Sequence, residues 1–186
     1  MRLYSFFGLS PNAISVGSLL MACVASYFCA RGEAYFAIIF WWFGRLFDGT
    51  DGIYARAISQ TSDFGAYLDI VCDMASYSVM ILGFALLHPQ LQFMWSIILV
   101  LYVLCITSAL ALGSLEQKLG ISLRDNRGLR LGAGLAEGGE TGIAYTLFLL
   151  FPHVIVTTGY LWIGILGLTV LARTILARRI VSTRAN

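Results

Sequence analysis

Between Asp48 and Asp73 the sequence reads DGTDGIYARAISQTSDFGAYLDIVCD, with five aspartates and one arginine in 26 residues. Four of these acids form two pairs. Asp48 and Asp51 lie three residues apart and Asp69 and Asp73 four apart, spacings that put side chains on neighbouring positions of one helix face. Paired carboxylates are hard oxygen donors and suit one or two divalent cations in a water-accessible cavity. Gly49, Gly52 and Gly65 alternate with the acids and remove side chains where another group must come close. Arg56 offers a planar fork of donors of the kind that clamps phosphate. The chemistry of the stretch is therefore that of a phosphorylated ligand bridged to the protein by metal.

The elements that carry these residues are apolar. The chain is 186 residues long, 59% hydrophobic and 12% charged, with a mean hydropathy of +0.81. Soluble domains carry roughly 25% charged residues. The expectation is an all-α integral membrane protein, a single domain over residues 1–186, with six transmembrane helices and a polar cavity facing the cytoplasm. The spans fall at about 12–30, 34–56, 62–87, 93–115, 135–151 and 156–177. Each is near the ~20 residues that cross a bilayer core. The second and third are joined by the short turn AISQT, so the two acid pairs face each other across a helical hairpin.

Carboxylates at that depth cost on the order of 2.5–3.5 kcal/mol each if unpaired. Arg45 and Arg56 are too few to offset four of them, which is the second argument for bound cations. Basic residues set the orientation. Arg2, Arg56, Lys118, Arg124, Arg127, Arg130 and the tail Arg173, Arg178, Arg179 and Arg184 share one side if six spans alternate, against Arg31 on the other. Both termini and the acid cluster are then cytoplasmic, with the tail arginines serving topology and contact with anionic lipid.

Other features exclude function classes. Cys23, Cys29, Cys72 and Cys105 sit in apolar runs with no CxxC pair, which excludes a disulfide framework or a zinc site. The N-terminus lacks a small-residue cleavage site, and no removable leader is expected. Trp41, Trp42, Trp95 and Trp162 read as interface or packing aromatics, His88 and His153 fall in outer loops, and no nucleic-acid module is visible.

The stretch fits D-x2-D-G-x2-A-R-x8-G-x3-D-x3-D at Asp48, Asp51, Gly52, Ala55, Arg56, Gly65, Asp69 and Asp73. It resembles the signature of the CDP-alcohol phosphotransferases, membrane enzymes of phospholipid synthesis. The PNAIS segment, Pro11 to Ser15, is similar to the PNxxT-like start of the first helix in that family, with Ser15 retaining a hydroxyl. The resemblance implies a CDP-linked lipid donor whose pyrophosphate sits on two ions, Mg²⁺ or Mn²⁺. It implies Asp48, Asp51 and Asp69 as ligands and Asp73 as a ligand or neighbour that acts as general base. Gly52, Ala55, Arg56 and Gly65 shape the CDP pocket by the same analogy. Asn12 either reaches the nucleotide or caps the first helix. The acceptor is the hydroxyl of a polar alcohol, and CMP is released. A homodimer is in keeping with the family.

The acceptor is less legible. The loop SLRDNRGLRLGAG places Arg124, Arg127 and Arg130 at the cytoplasmic mouth, suited to an anionic acceptor or headgroup. The segment GLAEGGETG brings Glu137, Glu140 and Thr141 to the start of the fifth span, suited to a hydroxyl or ammonium. Acids there also favour a helix N-terminus. CDP-diacylglycerol is the expected donor, with a CDP-choline or CDP-ethanolamine enzyme acting on diacylglycerol as the alternative. A divalent-cation transporter is a remoter reading, because such sites lie near the midplane between inverted repeats and no repeat is visible. A non-catalytic scaffold leaves the aspartates unexplained.

Overall fold

Ser10 opens the first helix and a left-handed glycine closes it, and most of the chain is punctuated as plainly. The computed structural model describes residues 10–58, 62–120 and 138–185; within them, the side chains of 51–53, 55–57, 138 and 183–185 lie outside the description. The helices are α1 Pro11–Ala30, α2 Ala34–Ala57, α3 Asp63–Leu87, α4 Gln92–Lys118, α5 Gly138–Leu150 and α6 Ile155–Ala185. Short 3₁₀ turns at Pro89–Leu91 and Pro152–Val154 complete the described regular structure, all of it helical.

The Ser10 hydroxyl accepts from the Ala13 N–H at 3.2 Å, and Pro11 occupies the first turn, where its missing N–H costs nothing. At the other end Gly32 adopts φ 77°, which lets its N–H reach Cys29 and the Glu33 N–H reach Phe28, so the last carbonyls are satisfied. Asn12 is therefore not the cap of α1. Ser62 caps α3 by accepting from the Gly65 N–H at 3.0 Å, with Asp63 in the first turn against the helix dipole. Pro89 ends the same helix by restricting His88 ahead of it.

Four stretches are long and apolar enough to cross a membrane: Pro11–Ala30, Asp63–Leu87, Pro89–Lys118 and Pro152–Ser182. The expected six spans are thus six helices, of which four qualify among the described residues. The reason is charge in one case and length in the other. Helix α2 carries Arg45, Asp48, Asp51 and Arg56 within 24 residues, and the described α5 is 13 residues long.

The chain forms two compact units. In the first, Met1–Trp95 with Leu149–Pro152, α1 packs along both α2 and α3. The approach is close. A Cβ on Gly83 would lie 2.7 Å from the Ser26 carbonyl oxygen, and one on Gly44 3.0 Å from that of Ser18. The Ser26 hydroxyl donates to the Val79 carbonyl at 2.6 Å, tying α1 to α3. Small residues here do what burial cannot do in lipid, letting backbones meet. In the second unit, Ser96–Phe148 with His153–Asn186, the Tyr102 hydroxyl accepts from Trp162 Nε1 at 3.0 Å and from the Tyr145 hydroxyl at 2.9 Å. This joins α4, α5 and α6 by polar side chains satisfied within the core. Trp41, Trp95 and Trp162 are buried packing aromatics, and Trp42 is exposed.

Candidate active site

The first unit gathers the signature at one end of three helices. Asn12 lies in the first turn of α1, Asp48 to Arg56 in the last turns of α2, and Gly65, Asp69 and Asp73 in the first turns of α3. The chain runs out along α2 and back along α3, so residues late in α2 and early in α3 share a level. Asn12 meets them: a Cβ on Gly65 would lie 3.2 Å from Asn12 Oδ1 and 3.1 Å from Ser62 Oγ. Of the glycines singled out in the sequence, Gly65 is at a close approach, whereas a Cβ on Gly49 would meet nothing within 4 Å. Ser15 is buried, and its hydroxyl donates to the Pro11 carbonyl at 3.3 Å, closing the first turn that carries Asn12.

Asp48, Asp69 and Asp73 are each half-buried. Asp69, Asp73 and Tyr77 follow one another at intervals of four on α3, a single stripe of that helix. Asp48 and Asp73 converge on one atom, Nη1 of Arg45. That atom ion-pairs with Asp73 Oδ1, lies 3.5 Å from Asp48 Oδ2, and donates to the Tyr77 hydroxyl at 3.3 Å. The guanidinium carbon sits 4.9 Å from the Trp41 ring centroid and 5.1 Å from that of Tyr77. In the sequence Arg45 reads only as a nearby cation. Its signal was present, an arginine in the apolar run FWWFGRLFD four residues after Trp41 and three before Asp48. What could not be read was its pairing with Asp73, 28 residues away on another helix.

The side chains of Asp51, Gly52, Ala55 and Arg56 lie outside the described structure, although all four belong to α2. Arg124, Arg127, Arg130 and Glu137 lie outside the described residues altogether. Glu140 is exposed in the first turn of α5. Thr141 is buried at 1% exposure, and its hydroxyl hydrogen-bonds Tyr102 in the core of the second unit. Arg173 departs from its expected place among the surface tail arginines. It is buried and donates from Nη1 to the Cys105 carbonyl at 2.7 Å, whereas Arg178 and Arg179 are exposed.

Among the described residues, no three or more His, Cys, Asp or Glu side chains come together as a metal-binding group. The donor chemistry nevertheless fits a hard cation. Two carboxylates from different helices converge on a single positive atom, and each keeps part of its surface open, at 22% for Asp48 and 24% for Asp73.

The family described as CDP-alcohol phosphatidyltransferase matches residues 8–171. The inner membrane protein YnjF of Escherichia coli is 32% identical over 154 residues, covering 78% of this chain and 71% of its own. Human CDP-diacylglycerol–inositol 3-phosphatidyltransferase is 32% identical over 134 residues, 68% of this chain and 61% of its own length. The chain thus spans less than two thirds of that enzyme. In fold it is similar to Mycobacterium tuberculosis phosphatidylinositol phosphate synthase PgsA1 with CDP-DAG bound, at a TM-score of 0.68 and 20% identity over 95% of this chain and 90% of that one. The same synthase in complex with manganese and citrate matches at a TM-score of 0.66 and 19% identity, over 95% and 86%. The match over most of the chain, carried by the aspartate signature on α2 and α3, makes this protein a member of the CDP-alcohol phosphatidyltransferase family.

Proposed function

We propose that the protein transfers a phosphatidyl group from CDP-diacylglycerol to the hydroxyl of a polar alcohol and releases CMP, as a step of phospholipid biosynthesis. The observation that carries this reading is the convergence of Asp48 and Asp73 from two helices, with Asn12 meeting Gly65 about two turns away along α3, within a complete family signature. Residues 1–186 act as one functional domain. Six membrane crossings put both termini and the site on the cytoplasmic side, where basic residues accumulate. A site just inside that surface admits a cytidine from water while acyl chains remain in lipid. A homodimer is in keeping with the family.

Asp48, Asp51, Asp69 and Asp73 would hold Mg²⁺ or Mn²⁺, two ions in all. When bound, these ions supply neutralisation of the pyrophosphate and of the departing phosphate charge. Arg56 clamps a phosphate oxygen, and Gly52, Ala55 and Gly65 keep the wall beside the cytidine low. Asn12 reaches the nucleotide from α1. Asp73 takes the proton of the acceptor hydroxyl. That oxygen forms a bond to the donor's lipid-bearing phosphorus in line with the breaking P–O bond, and CMP leaves with the bonding electron pair. Positioning and charge supply most of the rate in such transfers.

Arg124, Arg127, Arg130, Glu137, Glu140 and Thr141 are the residues proposed for the acceptor pocket. The relatives that act on inositol place inositol at the head of the acceptors to be tried. The experiment uses purified protein in detergent with labelled CDP-diacylglycerol, Mg²⁺ or Mn²⁺, and a panel of inositol, inositol phosphate, glycerol phosphate and serine. CMP release with one acceptor is the expected result. Turnover of CDP-choline with diacylglycerol, and none of CDP-diacylglycerol, would reverse donor and acceptor. Divalent-ion flux in liposomes without CMP formation would overturn the reading.

A further inference from the structure

Arg45 is a buried charged residue outside the family signature, and its surroundings are unusual for a structural ion pair. The residue is buried, with its side chain 6% exposed, whereas the Asp48 and Asp73 side chains that it meets are 22% and 24% exposed. The cation is thus more deeply buried than the two acids that it meets, and Oδ1 of Asp48 is buried as well. One nitrogen, Nη1, serves Asp48, Asp73 and the Tyr77 hydroxyl together. Nε and Nη2 are buried with no hydrogen-bond partner among the described residues.

An arginine placed to make the strongest pair would present its fork to one carboxylate bidentately. Here the fork is not used that way. The guanidinium is held instead by the Trp41 and Tyr77 rings, themselves 1% and 4% exposed. Stacking of this kind is strong for arginine and fixes the plane of the group. Its position therefore follows from the packing of α2 against α3, and the carboxylates take their orientation from it.

We propose that Arg45 is a positioning residue: clamped between Trp41 and Tyr77, it fixes the Asp73 and Asp48 carboxylates by one oxygen each and is the resident counter-charge of the acidic site when no divalent cation is bound. Asp73 is held through Oδ1 by Arg45 and also accepts from the Tyr77 hydroxyl. The kinetic consequence rests on the transferase reading above, but the stability consequence does not. Groups that orient metal ligands from behind typically contribute about 10–100-fold to metal affinity or activity.

The test uses the full chain in detergent, as wild type, Arg45→Gln, Arg45→Lys, Asp73→Asn and the Arg45→Gln/Asp73→Asn double variant. In chelator, each neutralising single variant leaves an uncompensated charge, and its thermal midpoint should fall by about 5 °C or more. The double variant should lose clearly less than the sum, since both charges are gone. Mn²⁺ alone should raise the midpoint of Arg45→Gln more than that of wild type, because an added cation replaces the missing one. In turnover, Arg45→Gln should lose about 10–100-fold in kcat with donor KM within about twofold. Arg45→Lys should regain most of the midpoint and little of kcat, since lysine keeps the charge but not the planar stack. Additive midpoints in the double variant, or an Mn²⁺ shift no larger than in wild type, would overturn the proposal. So would wild-type kcat in Arg45→Gln. If Arg45→Gln does not fold, Arg45→Lys decides by the same split between midpoint and kcat. Absence of CMP release from wild type with every donor would defeat the transferase reading, and the thermal cycle would still judge Arg45.

Discussion

At the scale of single residues the site is an arrangement of charges with unequal access to water. Asp73 is anchored to Arg45 through one oxygen, yet part of its side chain stays open. The open side is what a base needs. Asp73→Asn keeps the shape and removes the proton acceptor, so the single-turnover rate should fall by about 10²–10⁴ while CDP-diacylglycerol affinity stays near wild type. A collapse of affinity with an intact rate at saturating donor would make Asp73 a ligand only. Asp48→Asn and Asp69→Asn should instead weaken Mn²⁺ binding in a calorimetric titration, and unchanged affinity in both would remove the aspartates from the metal site. Gly65 gives a finer probe. A methyl there presses on Asn12 Oδ1 at 3.2 Å and Ser62 Oγ at 3.1 Å. Ser62 is committed to capping α3, so Asn12 is the group that yields. The helix preference for alanine over glycine, up to about 1 kcal/mol, offsets the crowding in stability. Gly65→Ala should therefore leave the melting midpoint nearly unchanged and raise the donor KM about fivefold, the equivalent of about 1 kcal/mol.

At the scale of elements, the site depends on how closely α1 approaches α2 and α3. Gly83 sets that distance on the α3 side. A Cβ at 2.7 Å from the Ser26 carbonyl oxygen meets backbone, which cannot rotate away as a side chain can. Gly83→Ala should cost about 1–3 kcal/mol by overpacking and lower the midpoint in detergent. It should also reduce turnover, because α1 carries Asn12 toward Gly65 at the far end of the same helix pair. An unchanged midpoint would mean that α1 is free to shift along α3. The start of α3 is a separate element-level feature. Ser62→Ala removes the hydrogen bond to the Gly65 N–H and should cost about 1 kcal/mol, read as faster amide exchange in the first turn that leads to Asp69.

At the scale of the whole molecule, the distribution of basic residues and the number of crossings have one consequence. The proposed six crossings would leave the chain ends on the same side, and the bias of basic residues argues that this side is cytoplasmic. Reporter fusions after Arg179 and ahead of Ser10 should both read as cytoplasmic, and opposite readings would reduce the crossings to an odd number. Sidedness also decides substrate access. In sealed liposomes, CDP-diacylglycerol turnover should be inhibited by added CMP only for molecules whose termini face outward. The buried Tyr102, Tyr145 and Trp162 cluster holds α4, α5 and α6 by satisfied hydrogen bonds.

The family signature, the six helices and their ends were legible in the sequence because each rests on local rules: apolar length, the i and i+4 spacing of acids, Ser and Gly at helix ends. Predicted and observed boundaries agree within about three residues except at the extended C-terminal end of α6, which reaches Ala185. The membrane character followed from composition alone. Other features needed the fold. The charge on α2 was visible, but composition could not say that Arg45 would be buried between Trp41 and Tyr77 and pair with Asp73. That pairing depends on the register of α2 against α3, which no spacing within one helix specifies. Nor could it distinguish Arg173, buried against the Cys105 carbonyl, from the exposed Arg178 and Arg179 a turn or more beyond it. Thr141 looked like a polar lining residue and proved to be core, because the hydroxyl of Tyr102 on another helix takes it up. Sequence determines which residues share a helix face; which face meets which neighbour, and hence which charge is compensated from within, is decided by interhelical packing.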